Sequence, residues 1–389
     1  MKYIPRELAG RLTEEMKWFP VVSITGPRQS GKSTLAKHCF SDYAYVNLEN
    51  PQARAAAIED PVSFIRNRPE RLIIDEAQYA PDLFSMIQVV SDERGSAGQY
   101  ILTGSQNFLL MKNIGQSLAG RVGVLKLLPL SYKELFSANR APIDILEFIL
   151  KGGYPRLYDL DIPLDVFFPN YIETYVDRDV AGLLDVRNIS AFRTMVELCA
   201  QNVGNLLNVS RLASAAGVSV PTIDSWLSVL QSSYLVFKLP SFARNLSKRL
   251  TKAPKLYFYD TGLLCSLLHI KTVRQLIEHP QFGAIFENLV VSERLKDHLN
   301  KGEEPQLYFY RDDSKREVDL LDLTDPDNEM AVEVKSSQTF HEKYAKHLSA
   351  IGEMLRIRPE NKLVVCRVES SYRTKTCEVV NARDFLLSE

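Results

Sequence analysis

The 389-residue chain has few cysteines, no long apolar run and no excess of positive charge. Its five cysteines are odd in number and include no CxxC spacing, which argues against a disulfide framework and against a zinc ribbon. The first residues form no apolar signal core, and no later stretch approaches about 18 consecutive apolar residues. We therefore expect a soluble, cytoplasmic protein without a membrane segment.

Charge is nearly balanced, with 47 basic and 48 acidic residues and a formal net charge of −1. A protein that coats nucleic acid along its whole surface usually has a basic excess, so any nucleic-acid contact must come from a local patch. Apolar residues make up 45% and charged residues 24%, which is an ordinary globular composition. At about 150 residues per domain, the length indicates two or three domains.

The pattern of the sequence changes twice along the chain. Up to about Leu130, short apolar runs alternate with helical patterns, which predicts a parallel sheet covered on both faces. A helical period then dominates, and from Gly283 a helix is followed by three strand-like runs, a helix and another strand. We predict an α/β domain over 1–135, a helical region over 136–275 and a smaller α/β domain over 276–389.

The segment from Gly26 to Ser33 reads GPRQSGKS, a complete G-x-x-x-x-G-K-[ST] pattern between a predicted strand and a predicted helix. Glycines let backbone N–H groups wrap a phosphate, and the helix N-terminus adds positive partial charge. We expect Lys32 to neutralise the β- and γ-phosphates of ATP and Ser33 to ligate Mg²⁺. Arg28 either contacts the substrate or braces the loop. The predicted nucleotide-binding residues of this loop are Gly26, Pro27, Arg28, Gln29, Ser30, Gly31, Lys32, Ser33 and Thr34.

A second motif, LIIDE from Leu72 to Glu76, is a buried strand that ends in two carboxylates. Asp75 is expected to hold Mg²⁺ through water, and Glu76 stands where an ATPase places its water-activating base. The alternative for Glu76 is a solvated loop carboxylate. The strand Tyr43 to Leu48 lies between the two motifs in sequence. Together with the second acid, it favours the additional-strand, catalytic-glutamate branch of P-loop proteins.

Polar residues follow the next predicted strand, which ends at Thr103. In AAA-type ATPases a polar residue at this strand end contacts the γ-phosphate or its attacking water, and Thr103, Ser105 and Gln106 are all candidates here. Arg121 is a candidate for supplying charge to a γ-phosphate, in the same subunit or, with self-association, in a neighbouring one. The alternative for Arg121 is a surface or packing arginine.

Residues 20–135 resemble the AAA-type ATPase domain of a large group of prokaryotic P-loop proteins in which a domain of unknown function follows. The resemblance covers nearly the whole chain, because later segments match as well as the P-loop motifs. These segments are LAGR at 118–121, GGYP at 152–155, RDV at 178–180, YDTGL at 259–263 and GAIFEN at 283–288. The resemblance implies binding and hydrolysis of ATP but no agreed cellular role.

The middle region contains a helix-turn-helix pattern that begins at Val209. Gly217 is expected to end the first helix and Ser219 to cap the second, which turns its apolar residues to one face. Two strand-like runs, 235–239 and 255–259, would form a wing. The alternative to DNA binding is a lid or protein-contact module with a solvated basic loop. The basic residues predicted to contact DNA phosphates are Arg244, Lys248, Arg249, Lys252 and Lys255.

The order of elements after residue 282 resembles the core of restriction-endonuclease-like nucleases, whose signature is an acid followed by E-x-K on the next strand. The resemblance implies that Asp319 and Glu333 share a Mg²⁺, which would polarise a scissile phosphate and activate water. Lys335, two residues after Glu333 and on the same side of the strand, would position the water or offset charge. Glu287 matches the helical acid of these nucleases. The alternative is a retained fold whose Asp–Glu–Lys cluster is an internal salt-bridge network.

The sequence therefore predicts an ATP-binding protein and Mg²⁺-dependent ATPase whose nucleotide state controls a C-terminal nuclease-like domain acting on DNA. The alternative is a nucleotide-switched DNA- or protein-binding regulator whose nuclease fold is inactive. The expected ligands are ATP, ADP and Mg²⁺.

Overall fold

The computed structural model describes residues 3–105, 114–115, 117–180, 188–243 and 252–388, of which 177–180 are described by their backbone alone. Contacts divide the chain into two compact units. The first runs up to Leu130 and adds two short segments, Ser232–Tyr234 and Leu299–Gly302. The second holds the other residues from Ser131 onward, so the further division predicted at residue 275 stays a prediction.

A five-stranded parallel sheet forms the first unit, and helices pack on both of its faces. Alternate residues of one strand enter two different apolar cores: Ile74 packs in one together with Phe84, and Ile73 packs in the other together with Leu12. The two-sided covering predicted from the uniformly apolar strands is therefore present. The strands are β1 (Val21–Thr25), β2 (Ala44–Asn47), β3 (Leu72–Asp75), β4 (Tyr100–Gly104) and β5 (Val122–Lys126). The helices are α1 (Leu8–Trp18), α2 (Lys32–Cys39), α3 (Pro51–Glu59), α4 (Pro61–Arg66) and α5 (Asp82–Arg94).

The order of this sheet is β2-β3-β4-β1-β5, so β4 lies between the strands that carry the two predicted nucleotide-binding motifs. An additional strand is present, as the sequence predicts, but it is β4. The segment predicted to be the additional strand, Tyr43 to Leu48, contains β2, which is an edge strand of the sheet. The assignment was wrong because the order of strands along a chain does not fix their order in space.

The second unit contains a six-stranded mixed sheet of order β12-β13-β11-β10-β9-β8 and an antiparallel pair of strands, β6 and β7. None of the helices in the described part of the chain has both the length and the apolar character needed to cross a membrane. The strands are β6 (Val236–Leu239), β7 (Lys255–Phe258), β8 (Leu307–Arg311), β9 (Glu317–Asp322), β10 (Met330–Val334), β11 (Lys362–Cys366), β12 (Tyr372–Arg373) and β13 (Glu378–Asn381).

The helices that begin after Leu130 are α6 (Tyr132–Ser137), α7 (Ile145–Lys151), α8 (Arg156–Asp159), α9 (Leu164–Tyr171), α10 (Ile189–Gln201), α11 (Val209–Ala216), α12 (Val220–Ser232), α13 (Thr261–Leu267), α14 (Val273–Glu278), α15 (Phe282–Asn300), α16 (Ala345–Leu355) and α17 (Ala382–Leu387). A π-helix, Ile172–Val180, follows α9. The order α15-β8-β9-β10-α16-β11 reproduces the predicted succession of elements, and the likeness of this succession to nucleases remains a prediction.

The predicted helix-turn-helix order is present in α11 and α12. Gly217 ends α11 with φ 68°, the left-handed conformation that favours glycine. The Ser219 hydroxyl accepts a hydrogen bond from the Thr222 N–H at 3.3 Å, as expected of a cap. Strands β6 and β7 then pair in the place of the predicted wing. Three of the predicted DNA contacts, Arg244, Lys248 and Arg249, lie outside the described residues.

Two of the recognised segments, GGYP and YDTGL, meet at the buried carboxylate of Asp260. Its oxygens accept hydrogen bonds from the Gly153 N–H at 2.7 Å and from the Leu263 N–H at 2.9 Å, which caps α13. A β-carbon at Gly152 would overlap this carboxylate, and Gly152 has φ 65°. Burial raises the pKa of Asp260. These segments therefore have a structural role, since they join the start of α13 to the turn after α7.

His298 forms a buried bridge between two acids, and we expect it to make stability depend on pH. Its Nδ1 lies 2.6 Å from a Glu303 oxygen and its Nε2 lies 2.7 Å from an Asp322 oxygen. Burial opposes the charged imidazole, but the hydrogen bond and charge of Asp322 and the bond to Glu303 outweigh it and raise the pKa of His298. This stabilisation is complete below about pH 6.5, the ordinary histidine value, and is lost as the pH rises through the raised folded value.

The difference in melting temperature between wild type and His298→Gln, measured from pH 5.5 to 9, tests this expectation. It should be largest at pH 5.5 and shrink as the pH rises, because the charged imidazole is lost. A difference that stays constant over the range would show that His298 stabilises the fold through packing alone.

Candidate functional site

The loop between β1 and α2 has the close approaches that a phosphate-binding loop requires. A β-carbon at Gly26 would overlap the backbone oxygen of Leu127, so only glycine fits there. Gly31 has φ 95° and directly precedes the first turn of α2, where N–H groups are unpaired. Ser33 is half-buried and Thr34 exposed in that turn. The predicted strand, loop and helix are therefore in place.

Lys32 is buried and lies against this loop. Its Nζ donates to the carbonyl oxygens of Gly26 at 2.9 Å and Pro27 at 2.8 Å. Burial lowers the pKa of Lys32 to about 8, although the charges of Glu76 and Asp75 oppose this shift. The loop, the lysine and the two acids at the end of β3 are thus electrostatically connected, as the sequence predicts for one site.

Asp75 is buried at the end of β3 and is held by two hydroxyl groups. The Tyr45 hydroxyl donates to it at 2.7 Å, and the Thr103 hydroxyl at the end of β4 donates to its other oxygen. Burial and the bond to Asp75 raise the pKa of Tyr45. Thr103, predicted to contact nucleotide, therefore orients Asp75. The sequence gives no sign of the role of Tyr45, because β2 meets β3 only in the folded sheet.

The carboxylate of Glu76 is held by three donors. One of its oxygens accepts hydrogen bonds from the Ser105 N–H at 3.1 Å, the Ser105 hydroxyl at 3.0 Å and the Gln78 amide at 2.5 Å. Glu76 itself has φ 53°, an uncommon conformation for a residue other than glycine. The alternative of a freely solvated loop carboxylate does not describe this geometry. Gln106, the third candidate at the end of β4, lies outside the described residues.

One arginine belongs to the loop, and a second contacts the loop from outside. Arg28 forms an exposed ion pair with Glu49, with Nη2 3.2 Å from Oε1. Arg6 is buried and donates to the carbonyl oxygens of Ser30 and Leu128, both at 2.7 Å. Arg6 therefore braces the loop. Sequence reasoning missed it because Arg6 is distant in sequence and belongs to no local motif.

Arg121 lies at the amino-terminal ends of the strands, whereas the phosphate-binding loop lies at their carboxyl-terminal ends. It directly precedes β5, whose first residue, Val122, pairs with Val21 at the start of β1, whereas the loop follows the end of β1. The Arg121 side chain is 38% exposed, and its Nε is 2.6 Å from an oxygen of Asp92. This placement argues against a role toward the nucleotide of the same subunit. A role toward a neighbouring subunit stays a prediction.

In the second unit, three of the predicted nuclease-like residues lie together. Lys335 Nζ is 2.7 Å from Glu333 Oε1 and 3.4 Å from Asp319 Oδ2. The same Asp319 oxygen accepts a hydrogen bond from the Val334 N–H at 2.8 Å. Asp319, Glu333 and Lys335 therefore form one ion-pair network where β9 and β10 meet.

Lys255 joins this network to Glu287. Its Nζ is 2.9 Å from a Glu287 oxygen, 2.7 Å from Glu317 and 3.8 Å from Asp319. The Lys255 side chain is only 4% exposed, so the prediction that it contacts DNA is wrong. The basic residues around Lys255 in the sequence do not reveal whether its side chain is buried. Glu317 was missed, although its position two residues before Asp319 puts both on one side of β9. Lys252, in contrast, is exposed.

Burial dominates the electrostatics of this cluster. Burial and the charge of Asp319 raise the pKa of Glu287 to about 7 and that of Glu333 to about 8. Glu333 Oε2 is buried and has no hydrogen-bond partner within the described part of the chain. Among the described residues, no group of three or more His, Cys, Asp or Glu side chains is arranged to hold a metal ion. The acids predicted to bind Mg²⁺ here instead contact lysine ammonium groups.

Three segments of the chain match known protein families. Residues 19–136 match the AAA domain family, and residues 143–274 and 282–385 match two domains of unknown function, DUF8612 and DUF4143. An uncharacterized protein of Mycobacterium tuberculosis is 31% identical over 324 residues, which cover 81% of this chain and 70% of that protein. One of Methanocaldococcus jannaschii is 24% identical over 341 residues, which cover 79% and 73%. A solved Walker-type ATPase of Pyrococcus abyssi aligns with a TM-score of 0.44 and 15% identity, over 67% of this chain and 95% of that chain.

The match over residues 19–136 confirms that the amino-terminal region is an AAA-type P-loop domain. The family matched by residues 282–385 has no known function, so the nuclease resemblance gains nothing from it.

Proposed function

Because this chain belongs to the family of the Mycobacterium tuberculosis protein and carries an AAA domain, we propose that it is a Mg²⁺-dependent ATPase. One observation carries the proposal: β1 and β3 run parallel on either side of β4. Lys32, Asp75 and Glu76 therefore all lie at the carboxyl-terminal ends of these strands, where a single nucleotide can meet all three.

The residues at these strand ends fit a nucleotide with its metal. The first turn of α2 directs N–H groups toward a phosphate, and the Ser33 hydroxyl and Asp75 carboxylate supply the oxygen ligands that Mg²⁺ prefers. Bound Mg²⁺ would neutralise phosphate charge. Lys32 would exchange its two carbonyl partners for phosphate oxygens, which are stronger acceptors of a charged donor.

Glu76 would orient the attacking water and accept its proton. Ser105 and Gln78 fix the position of its carboxylate, and Thr103 and Tyr45 fix that of Asp75. Positioning of this kind supplies much of the catalysis of phosphoryl transfer. Release of phosphate from ATP by the purified protein tests the proposal. Turnover no higher than that of the Lys32→Ala variant would contradict it.

A second candidate function concerns the second unit, and we infer that nucleotide state controls a binding domain which does not cut. The ion pairs of Lys255 and Lys335 with Glu287, Asp319 and Glu333 support this regulator over the nuclease. A charge that is already neutralised inside the protein is poorly suited to attract a metal ion. The nuclease would regain support if the wild type cut DNA with Mg²⁺ and Asp319→Ala did not.

DNA is the partner that the basic segment favours, and it should stimulate ATP turnover at low salt. The stimulation should disappear between about 50 and 200 mM salt, because binding through several phosphate contacts weakens steeply over this range. Lys252→Gln, which removes an exposed charge of the segment, should reduce the stimulation without changing turnover in the absence of DNA. If DNA has no effect at any salt concentration, the partner of the regulator is not DNA.

A further inference from the structure

The carboxyl-terminal acid cluster contains a built-in cation, the ammonium group of Lys255. This group lies within 4 Å of oxygens from three acids on two elements, Glu287 of α15 and Glu317 and Asp319 of β9. The Tyr257 hydroxyl also donates to Glu287, at 2.5 Å. The acids therefore surround one positively charged group, which offsets their charge as a bound cation would.

The backbone of Lys255 is fixed on both sides. It pairs with Leu239 of β6 and forms an isolated bridge with Leu206. The ammonium group also lies 5.5 Å from the centre of the buried Phe309 ring, which closes one side of the cluster. Strand pairing on both sides therefore fixes the point from which the Lys255 side chain enters the cluster.

We propose that Lys255 takes the place of a divalent cation in this cluster, so that the wild-type cluster binds no Mg²⁺ or Mn²⁺. A neutral side chain at position 255 then converts the cluster into a divalent-cation site. The inference rests on the proposed function of the second unit as a domain that does not cut. It names the residue responsible.

The balance of charge in the cluster supports this exchange. The ammonium group of Lys255 repels a second cation strongly, because the surrounding protein excludes water and screens charge poorly. Without it, Glu287, Glu317 and Asp319 would face one another, and among the described residues Lys335 and Arg311 form the neighbouring ion pairs. Carboxylates brought together in this way either take up protons or bind a cation.

The test measures Mn²⁺ binding in the absence of nucleotide. The electron paramagnetic resonance signal of free Mn²⁺ reports how much Mn²⁺ is bound, and the melting temperature is measured alongside it. Lys255→Met keeps the length of the side chain and removes its charge. It should bind one Mn²⁺ more than the wild type, with a Kd of about 1 mM or below. Its melting temperature should be lower than that of the wild type in EDTA and should rise with Mn²⁺. The matched control, Lys346→Met, alters an exposed lysine of α16 and should bind no additional Mn²⁺.

Asp319→Asn assigns any bound ion to the cluster. The double variant Lys255→Met/Asp319→Asn should lose the additional Mn²⁺. If the wild type already binds an ion that Asp319→Asn abolishes, Lys255 does not replace a metal and the inference is wrong. A folded Lys255→Met that binds no additional ion overturns it too. If Lys255→Met does not fold, Lys255→Gln and the wild-type comparison with Asp319→Asn decide.

The inference and the proposed function fail in different ways. Wild-type protein that binds Mn²⁺ through Asp319 but does not cut DNA contradicts only the role of Lys255. Wild-type protein that also cuts DNA contradicts the regulator as well.

Discussion

Lys32→Ala is expected to reduce ATP turnover at least about 10²–10³-fold, the usual effect of removing one donor that stabilises developing charge. Lys32 is the buried cation of the phosphate-binding loop, and it donates to the loop carbonyls of Gly26 and Pro27. Alanine leaves the phosphates without this charge, so affinity for ATP should fall as well. Phosphate release and the binding of a fluorescent ATP analogue measure the two effects separately.

Loss of the fold should not explain the lost turnover. Burial lowers the pKa of Lys32 to about 8, below its ordinary value, so keeping this ammonium charged at pH 7 opposes folding. The variant should therefore melt close to the wild type. Lys17→Ala, which alters an exposed lysine of α1, is the matched control and should keep full turnover. Unchanged turnover in Lys32→Ala would rule out the ATPase assignment.

The central residues of the nucleotide site could be predicted because each belongs to a local pattern. Lys32 stands at a fixed distance from the loop glycines, and Asp75 and Glu76 end an apolar strand. The residues that hold these side chains in position could not be predicted, because their contacts depend on the order of the strands in the sheet. Tyr45 reaches Asp75 because β2 lies beside β3, and Ser105 reaches Glu76 because β4 lies on its other side.

Burial separates the successful and unsuccessful predictions in the second unit. Asp319, Glu333 and Lys335 lie together as the spacing predicts, because a strand places residues i and i+2 on one side. Lys255 follows a basic run, and a count of charges makes it look like part of an exposed patch. The β pairing that buries it joins Lys255 to Leu206 and Leu239, which no local pattern reveals.

Arg121 shows the same limit in the first unit. Which end of the sheet it occupies depends on the register between β5 and β1, which no local pattern around Arg121 reveals. With all strands parallel, a residue before a strand lies on the side opposite to the phosphate-binding loop. This placement leaves Glu76, beside Lys32, as the catalytic group that we propose among the described residues of one chain.

Glu76→Gln is expected to lower turnover by about 10²–10⁴-fold, the range that general acid–base groups contribute. Glutamine keeps the size of the side chain and can still accept hydrogen bonds from Ser105, so the local structure should be retained. It cannot take a proton from the attacking water. ATP should therefore bind to the variant with an affinity within a few-fold of the wild type and remain uncleaved.

Single-turnover phosphate release, compared with binding of the same nucleotide, separates this effect from that of Lys32→Ala. Removing the lysine weakens binding and cleavage together, whereas removing the base affects cleavage alone. Glu93→Gln is the matched control: Glu93 lies on α5 in an exposed ion pair with Arg66, and its loss should leave turnover unchanged. If Glu76→Gln cleaves ATP at the wild-type rate, the three donors around Glu76 hold a structural carboxylate, and the base must be sought outside the described residues.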